Sequence, residues 1–309
     1  MEYKTIEVNA LSNDNIHTLY GKMYIPLGTL KATVQIIHGM SEHMELYDEF
    51  MSELAQNGYI AVIHDQLGHG KTAGSKEALG FFAEKDGDEI LIKDAYTFAC
   101  KSLSEYKDLP HVLFGHSMGS FIARIYSRRY TDMCDMLILS GTGGRQRFSA
   151  LGLALAHAGA VLKGKEYRPE TVQRIFLNFC NVLFREDKNP YAWTTSDKNV
   201  QRAHVEDEYY NFVFSFEAMR DVIALSDKCN SMDWYKNRRR DMPTLVLSGS
   251  KDPVGEYGEG VSEVRWRVNA FGENNICFVV YENLRHELLH EVNKRVVIDR
   301  ILEWMSENL

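Results

Sequence analysis

Short continuous runs of apolar residues, separated by helical patterns, constrain the fold of this chain more than any other feature. The runs lie at residues 34–37, 59–63, 112–114, 136–139, 245–247 and 276–281. A continuous run, unlike an alternating one, is typical of a strand buried on both faces, as in a parallel sheet. With helical periodicity between the runs, as at residues 45–57 and 88–104, the pattern predicts a doubly wound α/β sheet flanked by helices. Ligands of such sheets bind at the carboxyl ends of the strands.

Two segments depart from this alternation. Residues 5–8 and 18–24 come before the runs and flank a polar turn, which predicts edge strands. Residues 143–242 have helical periodicity and many aromatic side chains but no clear strand. We therefore predict one main domain built from residues 1–142 and 243–309, with a helical cap of residues 143–242 inserted after the sixth strand.

Composition argues against several kinds of partner and site. The formal net charge of −8 disfavours nucleic acid, which needs a basic surface to displace counterions from phosphates. The five cysteines are widely spread, odd in number and without a CxxC spacing, so free thiols in the cytoplasm are predicted, with no structural metal. No signal-peptide pattern is present, and the most apolar segment, residues 150–162, is shorter than the ~20 residues of a transmembrane helix.

The chemistry is most visible at residues 115–119, which read Gly-His-Ser-Met-Gly. This is the G-x-S-x-G pattern, in which a serine sits on a sharp turn between a strand and a helix. An apolar strand-like run precedes the motif and a helical pattern over residues 120–130 follows it. The turn projects the serine hydroxyl, while the glycines let neighbouring backbone pass close. We predict that Ser117 is a nucleophile.

A serine hydroxyl needs a histidine base and a carboxylate that orients the histidine. Asp252 lies in a turn just after the run at residues 245–247, and His286 follows the run at residues 276–281. Both therefore follow strand ends, as Ser117 does, and the three can converge at one edge of the sheet. Asp241 is a rival but precedes its strand, at the wrong end. His290 is a rival one helical turn later, within the predicted terminal helix.

An oxyanion hole requires two backbone donors beside the nucleophile. The N–H of Met118, directly after the serine, is the first candidate. Residues 36–40 end a strand with a His-Gly pair, and the N–H of Met40 is the second candidate. His116 neighbours the serine and is interpreted as a packing residue that points away from it. This chemistry needs no metal and no cofactor.

Five motifs together resemble the monoacylglycerol lipase and lysophospholipase branch of the α/β-hydrolases, the serine aminopeptidase S33-type enzymes. They are His-Gly-Met-Ser-Glu-His at residues 38–43 with Tyr47, Asp-Gln-Leu-Gly-His-Gly at 65–70, the motif at 115–119, Gly-Ser-Lys-Asp at 249–252 and Arg-His-Glu at 285–287. The resemblance implies an α/β-hydrolase fold and a mobile apolar cap. It also implies a Ser117, Asp252 and His286 triad with Met40 and Met118 as oxyanion donors. Ser41 departs from the glycine that is common in the first motif.

The resemblance implies a serine hydrolase whose substrate is a small-molecule acyl ester of the monoacylglycerol or lysophospholipid type. A short-chain or aromatic esterase remains an alternative. So does an aminopeptidase of the same fold, in which Glu206, Asp207 or Glu208 of the cap would hold the substrate amine. A third alternative, from another class, is a catalytically silent binding protein on this fold.

The cap sequence leaves its own role open. Residues 150–162 are predicted to form either an ordinary buried helix or a cap helix that lines an acyl pocket or transiently touches a lipid surface. Aromatic residues of the cap could line the same pocket or form the core of the cap. They are Phe176, Phe179, Phe212, Phe214 and Phe216.

Overall fold

An eight-stranded, mostly parallel sheet forms the centre of the molecule. The computed structural model describes residues 2–145, 149–272 and 275–309. The strands are β1 (Tyr3–Leu11), β2 (Thr18–Pro26), β3 (Ala32–Ile37), β4 (Tyr59–His64), β5 (His111–His116), β6 (Met136–Ser140), β7 (Thr244–Gly249) and β8 (Ile276–Tyr281). Their spatial order is β1-β2-β4-β3-β5-β6-β7-β8. Only the β1–β2 and β2–β4 pairs are antiparallel, so the predicted parallel sheet is confirmed. The edge-strand prediction is confirmed for β1 but is wrong for β2, which pairs with β1 on one side and β4 on the other.

Helices cover both faces of this sheet. In the described residues they are α1 (Asp48–Gln56), α2 (Gly87–Ser102), α3 (Met118–Arg129), α4 (Ser149–Lys163), α5 (Glu170–Cys180), α6 (Lys198–Glu206), α7 (Phe216–Cys229), α8 (Met232–Asn237), α9 (Glu259–Ala270) and α10 (Lys294–Asn308). Successive strand residues point to opposite faces. Ile36 accordingly packs in the core beneath α1 and α10, whereas Ile37 packs in the core beneath α2 and α3. Burial on both faces explains why the central strands are continuously apolar.

Strand β8 differs from this expectation. Its sequence is as apolar as that of the central strands, yet its residues are only partly buried, and Val280 is 49% exposed. The strand forms the outer edge of the sheet beside β7, and no other strand of the described residues lies beyond it. The prediction that residues 276–281 are buried on both faces is therefore wrong, because an apolar run does not reveal whether a strand lies at an edge.

Helices α4 to α8 lie between β6 and β7, so the predicted insertion after the sixth strand is confirmed. Residues 146–148 of the predicted cap range lie outside the described residues. In α4 only Ala156 and Ala160 are buried, while Leu155 is 63% exposed. The alternative that residues 150–162 form an ordinary buried helix is therefore wrong. No described helix combines the length and the apolar character needed to cross a membrane.

Candidate active site

Three side chains predicted from the sequence meet at the carboxyl ends of the strands. Ser117 lies between β5 and α3, Asp252 follows β7, and His286 follows β8. His286 Nε2 lies 2.8 Å from Ser117 Oγ, and His286 Nδ1 lies 2.9 Å from Asp252 Oδ1. The three residues meet because parallel strands end at the same edge of a sheet. The arrangement is that of a hydroxyl, a base and an orienting carboxylate.

The turn at Ser117 is sterically tight. Ser117 has φ 51° and ψ −120°, a left-handed conformation that is strained for a residue with a side chain. A Cβ at Gly119 would lie 2.0 Å from the carbonyl oxygen of Ile37, and one at Gly115 would lie 2.4 Å from the carbonyl oxygen of Gly119. Glycine is therefore required on both sides of the turn. The turn leaves Ser117 partly exposed among buried neighbours.

His286 is buried between charged and aromatic neighbours. Burial disfavours its charged form, but the Asp252 carboxylate and its hydrogen bond outweigh burial and raise the pKa of His286. The Trp193 ring of the cap lies 5.0 Å from the imidazole, tilted by 30°. His116 lies on another side with its ring 4.8 Å away, and burial lowers the pKa of His116 to about 3. His116 is thus a packing residue, but it packs against the catalytic histidine candidate and not away from the site.

The predicted oxyanion donors flank Ser117. Met118 is the first residue of α3, and Met40 lies in the loop after β3. This loop passes close to the serine, since a Cβ at Gly39 would lie 3.0 Å from Ser117 Cβ. Among the described residues, neither the Met40 nor the Met118 N–H donates a hydrogen bond to a protein acceptor. Both donors are therefore available to a ligand oxygen.

Glu42 holds the loop after β3, which carries Met40, in place through hydrogen bonds that the sequence did not suggest. Its Oε2 accepts the Gly39 N–H, and it accepts the Tyr47 hydroxyl at 2.8 Å. Ser41, where the first motif departs from glycine, has φ 65° and so adopts the left-handed conformation that glycine favours. Glu42 and Tyr47 belong to the first motif, which was the only signal that could have found them.

A second polar cluster surrounds Glu287, the residue next to His286. His204 Nε2 lies 2.9 Å from Glu287 Oε2, and His290 Nδ1 lies 2.8 Å from the same oxygen. His290 lies in a 3₁₀ turn (Leu288–His290), not in the terminal helix, which begins at Lys294. Its predicted helical setting is therefore wrong. The ligand atoms of these three described residues lie close enough together to hold a metal ion, but both histidines already form a hydrogen bond to the Glu287 carboxylate.

Comparisons with known proteins identify the family and the fold of this chain. Residues 28–293 match the family described as "Serine aminopeptidase, S33". The "Monoglyceride lipase homolog" of Monkeypox virus is 24% identical, over 96% of this chain and 95% of the relative. The "Monoacylglycerol lipase" of Mycolicibacterium smegmatis is 22% identical, over 90% of this chain and 89% of the relative.

The crystal structure of a thermostable carboxyl esterase from Bacillus coagulans, in complex with glycerol, has the same fold over its whole length. It superposes with a TM-score of 0.91 at 25% sequence identity, and the match covers 98% of each chain. The agreement extends through the inserted helices, because so little of either chain lies outside the match. The sheet, the insertion and the placement of the strand ends are thus a shared architecture.

Proposed function

Because the chain belongs to the serine aminopeptidase S33 family of α/β-hydrolases, in its monoacylglycerol lipase-like branch, we propose that it cleaves single-chain acyl esters through an acyl-enzyme on Ser117. The observation that carries this proposal is the continuous hydrogen-bonded chain from Ser117 through His286 to Asp252, with separations of 2.8 and 2.9 Å. A monoacylglycerol or a lysophospholipid is the proposed substrate class.

The reaction follows from the roles that the geometry allows. His286 Nε2 takes the proton of the Ser117 hydroxyl while Oγ attacks the ester carbonyl carbon. Asp252 stabilises the imidazolium, and the N–H groups of Met40 and Met118 bind the oxyanion of the tetrahedral intermediate. The intermediate collapses, the ester C–O bond breaks, and the leaving alcohol takes the proton from His286. A water molecule, activated by the same histidine, then hydrolyses the acyl-enzyme and frees the acid.

The inserted helices support an apolar acyl substrate. Trp193 lies against His286 and, with Phe176 at 6.1 Å between ring centroids, provides an aromatic wall next to the reacting centre. Beyond this wall, α4 and α5 expose apolar side chains to solvent. Large exposed apolar surfaces are typical of interaction sites. We therefore propose that residues 143–242 act as a cap that receives the acyl chain and transiently touches the lipid surface holding the substrate.

An aminopeptidase is less well supported. Such an enzyme would need a free carboxylate in the cap for the substrate amine. The Asp207 carboxylate is already 2.8 Å from His43 Nε2, and the Glu208 carboxylate pairs with Lys76 at the protein surface. Glu206 is exposed at the end of α6. None of these three carboxylates is both unpaired and buried beside Ser117. We therefore propose an ester substrate and not a peptide.

The cysteines support a cytoplasmic location. All five are free, and Cys134, Cys180 and Cys229 are buried. Unpaired cysteines are typical of proteins that work in a reducing compartment. We propose that the enzyme acts in the cytoplasm.

Replacing Ser117 tests the proposed nucleophile. Ser117→Ala is expected to abolish labelling by a fluorophosphonate probe and to lower ester turnover by at least about 1,000-fold, because only the oxyanion hole and substrate binding remain. Ser104→Ala, which changes an exposed serine, is the matched control and should label normally. A wild-type protein that the probe does not label would contradict the proposal, as would an active Ser117→Ala variant.

A substrate panel tests the proposed class. We expect kcat/KM to rise with acyl length from short-chain esters to monoacylglycerols and lysophospholipids, because the apolar cap buries more of a longer chain. An aminoacyl-arylamide should be a poor substrate. A preference for the arylamide would favour the aminopeptidase, and a decline with chain length would favour the short-chain esterase.

A further inference from the structure

The loop that carries His286, residues 285–291, is tied to one part of the cap, residues 191–210, which we call the inner cap segment. The Glu287 N–H donates to the Thr194 carbonyl at 2.7 Å, and the Thr195 hydroxyl donates to the His290 carbonyl at 2.9 Å. Backbone of the histidine loop is therefore bonded to backbone and side chains of the cap directly beside His286. The inner cap segment cannot move away without breaking these bonds.

The side chain of Glu287 reinforces this connection. It is 3% exposed and accepts hydrogen bonds from His204 Nε2, from the Tyr210 hydroxyl and from His290 Nδ1. Two of these donors belong to the cap and one belongs to the histidine loop. The His204 and Tyr210 rings stack on each other with centroids 3.8 Å apart, which restricts the positions of both donors. We call these four residues the Glu287 cage.

The cage carries a buried charge. Burial alone would raise the pKa of Glu287, but the bonds from His204 and His290 hold that pKa well below its ordinary value. The carboxylate in turn raises the pKa of His290 to about 9, against the effect of burial. Such a buried pair costs desolvation free energy and adds little net stability compared with an apolar core. What it provides is a directional set of bonds that fixes geometry.

From these contacts we propose that Glu287 is a positioning residue. Because His204 and Tyr210 hold its carboxylate, the backbone of the neighbouring His286 is held as well. The inner cap segment is thereby part of the scaffold that positions His286. This inference rests on the proposed function, in which His286 is the base. It also narrows the mobile cap that the family resemblance implies, because the inner cap segment is held to the histidine loop while α4 and α5, which carry the exposed apolar side chains, lie outside these contacts. Displacement of a catalytic group by about 1 Å can cost about 100-fold in rate, so small changes in the cage should reach the chemistry.

Tyr210→Phe is the most discriminating variant, because it removes one hydroxyl and keeps the stacked ring. The assay is turnover of a short, water-soluble ester, with active sites counted by fluorophosphonate titration. We expect kcat per titrated site to fall about tenfold while KM changes by less than about twofold, since the variant keeps the aromatic ring and removes only the bond to Glu287. In Glu287→Gln, kcat per titrated site should fall further, by about 100-fold, because the new amide N–H groups would face the hydrogen-bond donors of the cage.

Tyr191→Phe is the matched control. Tyr191 is also a buried tyrosine of the inner cap segment, but its hydroxyl donates to Asn211 Oδ1 at 2.7 Å, within the cap. The Tyr191→Phe variant should keep the wild-type kcat per titrated site even if its melting temperature drops. An equal loss of kcat in Tyr191→Phe and Tyr210→Phe would mean that the effect is general loosening of the cap, and this would overturn the positioning role.

Two other outcomes are equally decisive. If Glu287→Gln does not fold, the Tyr210→Phe variant alone tests the positioning role. A kcat per titrated site within about twofold of wild type in this variant overturns the proposal. If the wild-type protein neither labels nor cleaves any ester, the proposed function itself fails and the positioning role fails with it. A labelled, active wild-type enzyme with a fully active Tyr210→Phe variant overturns the positioning role alone.

Discussion

Two parts of the inserted cap meet their surroundings in opposite ways. Helices α4 and α5 present apolar side chains to solvent, such as Leu155 and Phe179, which is 67% exposed. The inner cap segment presents polar groups to the histidine loop and buries them, as His204 and Tyr210 do around Glu287. One insertion therefore serves two physical purposes. Its outer helices offer adaptable apolar surface, and its inner segment holds a fixed geometry.

The difference follows from the two kinds of interaction. Apolar contact is non-directional, so exposed helices can shift on a lipid or an acyl chain with little loss of free energy. A buried hydrogen bond is directional and costly to leave unmade, so the groups that form it keep one arrangement. In the proposed function, an insertion that contains both types rearranges on the substrate side while His286 stays in place.

The largest effect on stability should come from removing Glu291, which joins the inner cap segment to the histidine loop. This buried carboxylate accepts from the Ser196 N–H, the Ser196 hydroxyl and the Arg285 N–H. Glu291→Ala should lower the free energy of unfolding by about 3–5 kcal/mol, because these donors and the Val292 N–H lose a charged acceptor. Urea denaturation would measure it. Glu303→Ala, on an exposed face of α10, is the control and should stay within about 0.5 kcal/mol of wild type.

A smaller effect on the free energy of unfolding should appear at alkaline pH. Burial lowers the pKa of His290, but the Glu287 carboxylate outweighs burial and raises this pKa from its ordinary value of 6.5 to about 9 in the folded state. Stability from this proton is complete below pH 6.5 and is lost as the pH rises through 9, by roughly 3 kcal/mol in total. The measurement is the free energy of unfolding between about pH 6 and pH 10, for wild type and His290→Gln. Parallel curves for the two proteins would contradict the assignment.

The smallest effect on stability, with a distinct effect on activity, should come from the outer helices. Phe179→Ser should change the free energy of unfolding by less than about 0.5 kcal/mol, because the side chain is already exposed. Turnover of a long-chain monoacylglycerol in dispersion should nevertheless fall by at least about threefold, since less apolar area contacts the lipid.

A soluble short-chain ester provides the internal control for Phe179→Ser, because its turnover should not change. Val296→Ser, an exposed apolar residue on α10, should leave both activities unchanged. If Phe179→Ser is strongly destabilised, or if both esters are affected equally, the contrast between the outer helices and the inner cap segment does not hold.

The site residues that could be predicted are those with a local signature. Ser117 is marked by glycines that the tight turn requires, and Asp252 and His286 each follow an apolar run directly. The structure brings His286 within hydrogen-bond distance of both Ser117 and Asp252. His290 illustrates the limit, because its position near the chain end suggested a helix, whereas tertiary contacts hold it in a 3₁₀ turn against Glu287.

The sequence by itself determined the sheet, the insertion and the strained serine turn, because hydrophobic period and glycine sterics act over a few neighbouring residues. Only the tertiary structure decided that β8 lies at an edge and that Glu287 joins the cap to the histidine loop. His204 and Tyr210 are 83 and 77 residues from Glu287 along the chain. Hydrogen bonds across such distances follow no period in the sequence, and they exist only once the fold has brought both partners out of water.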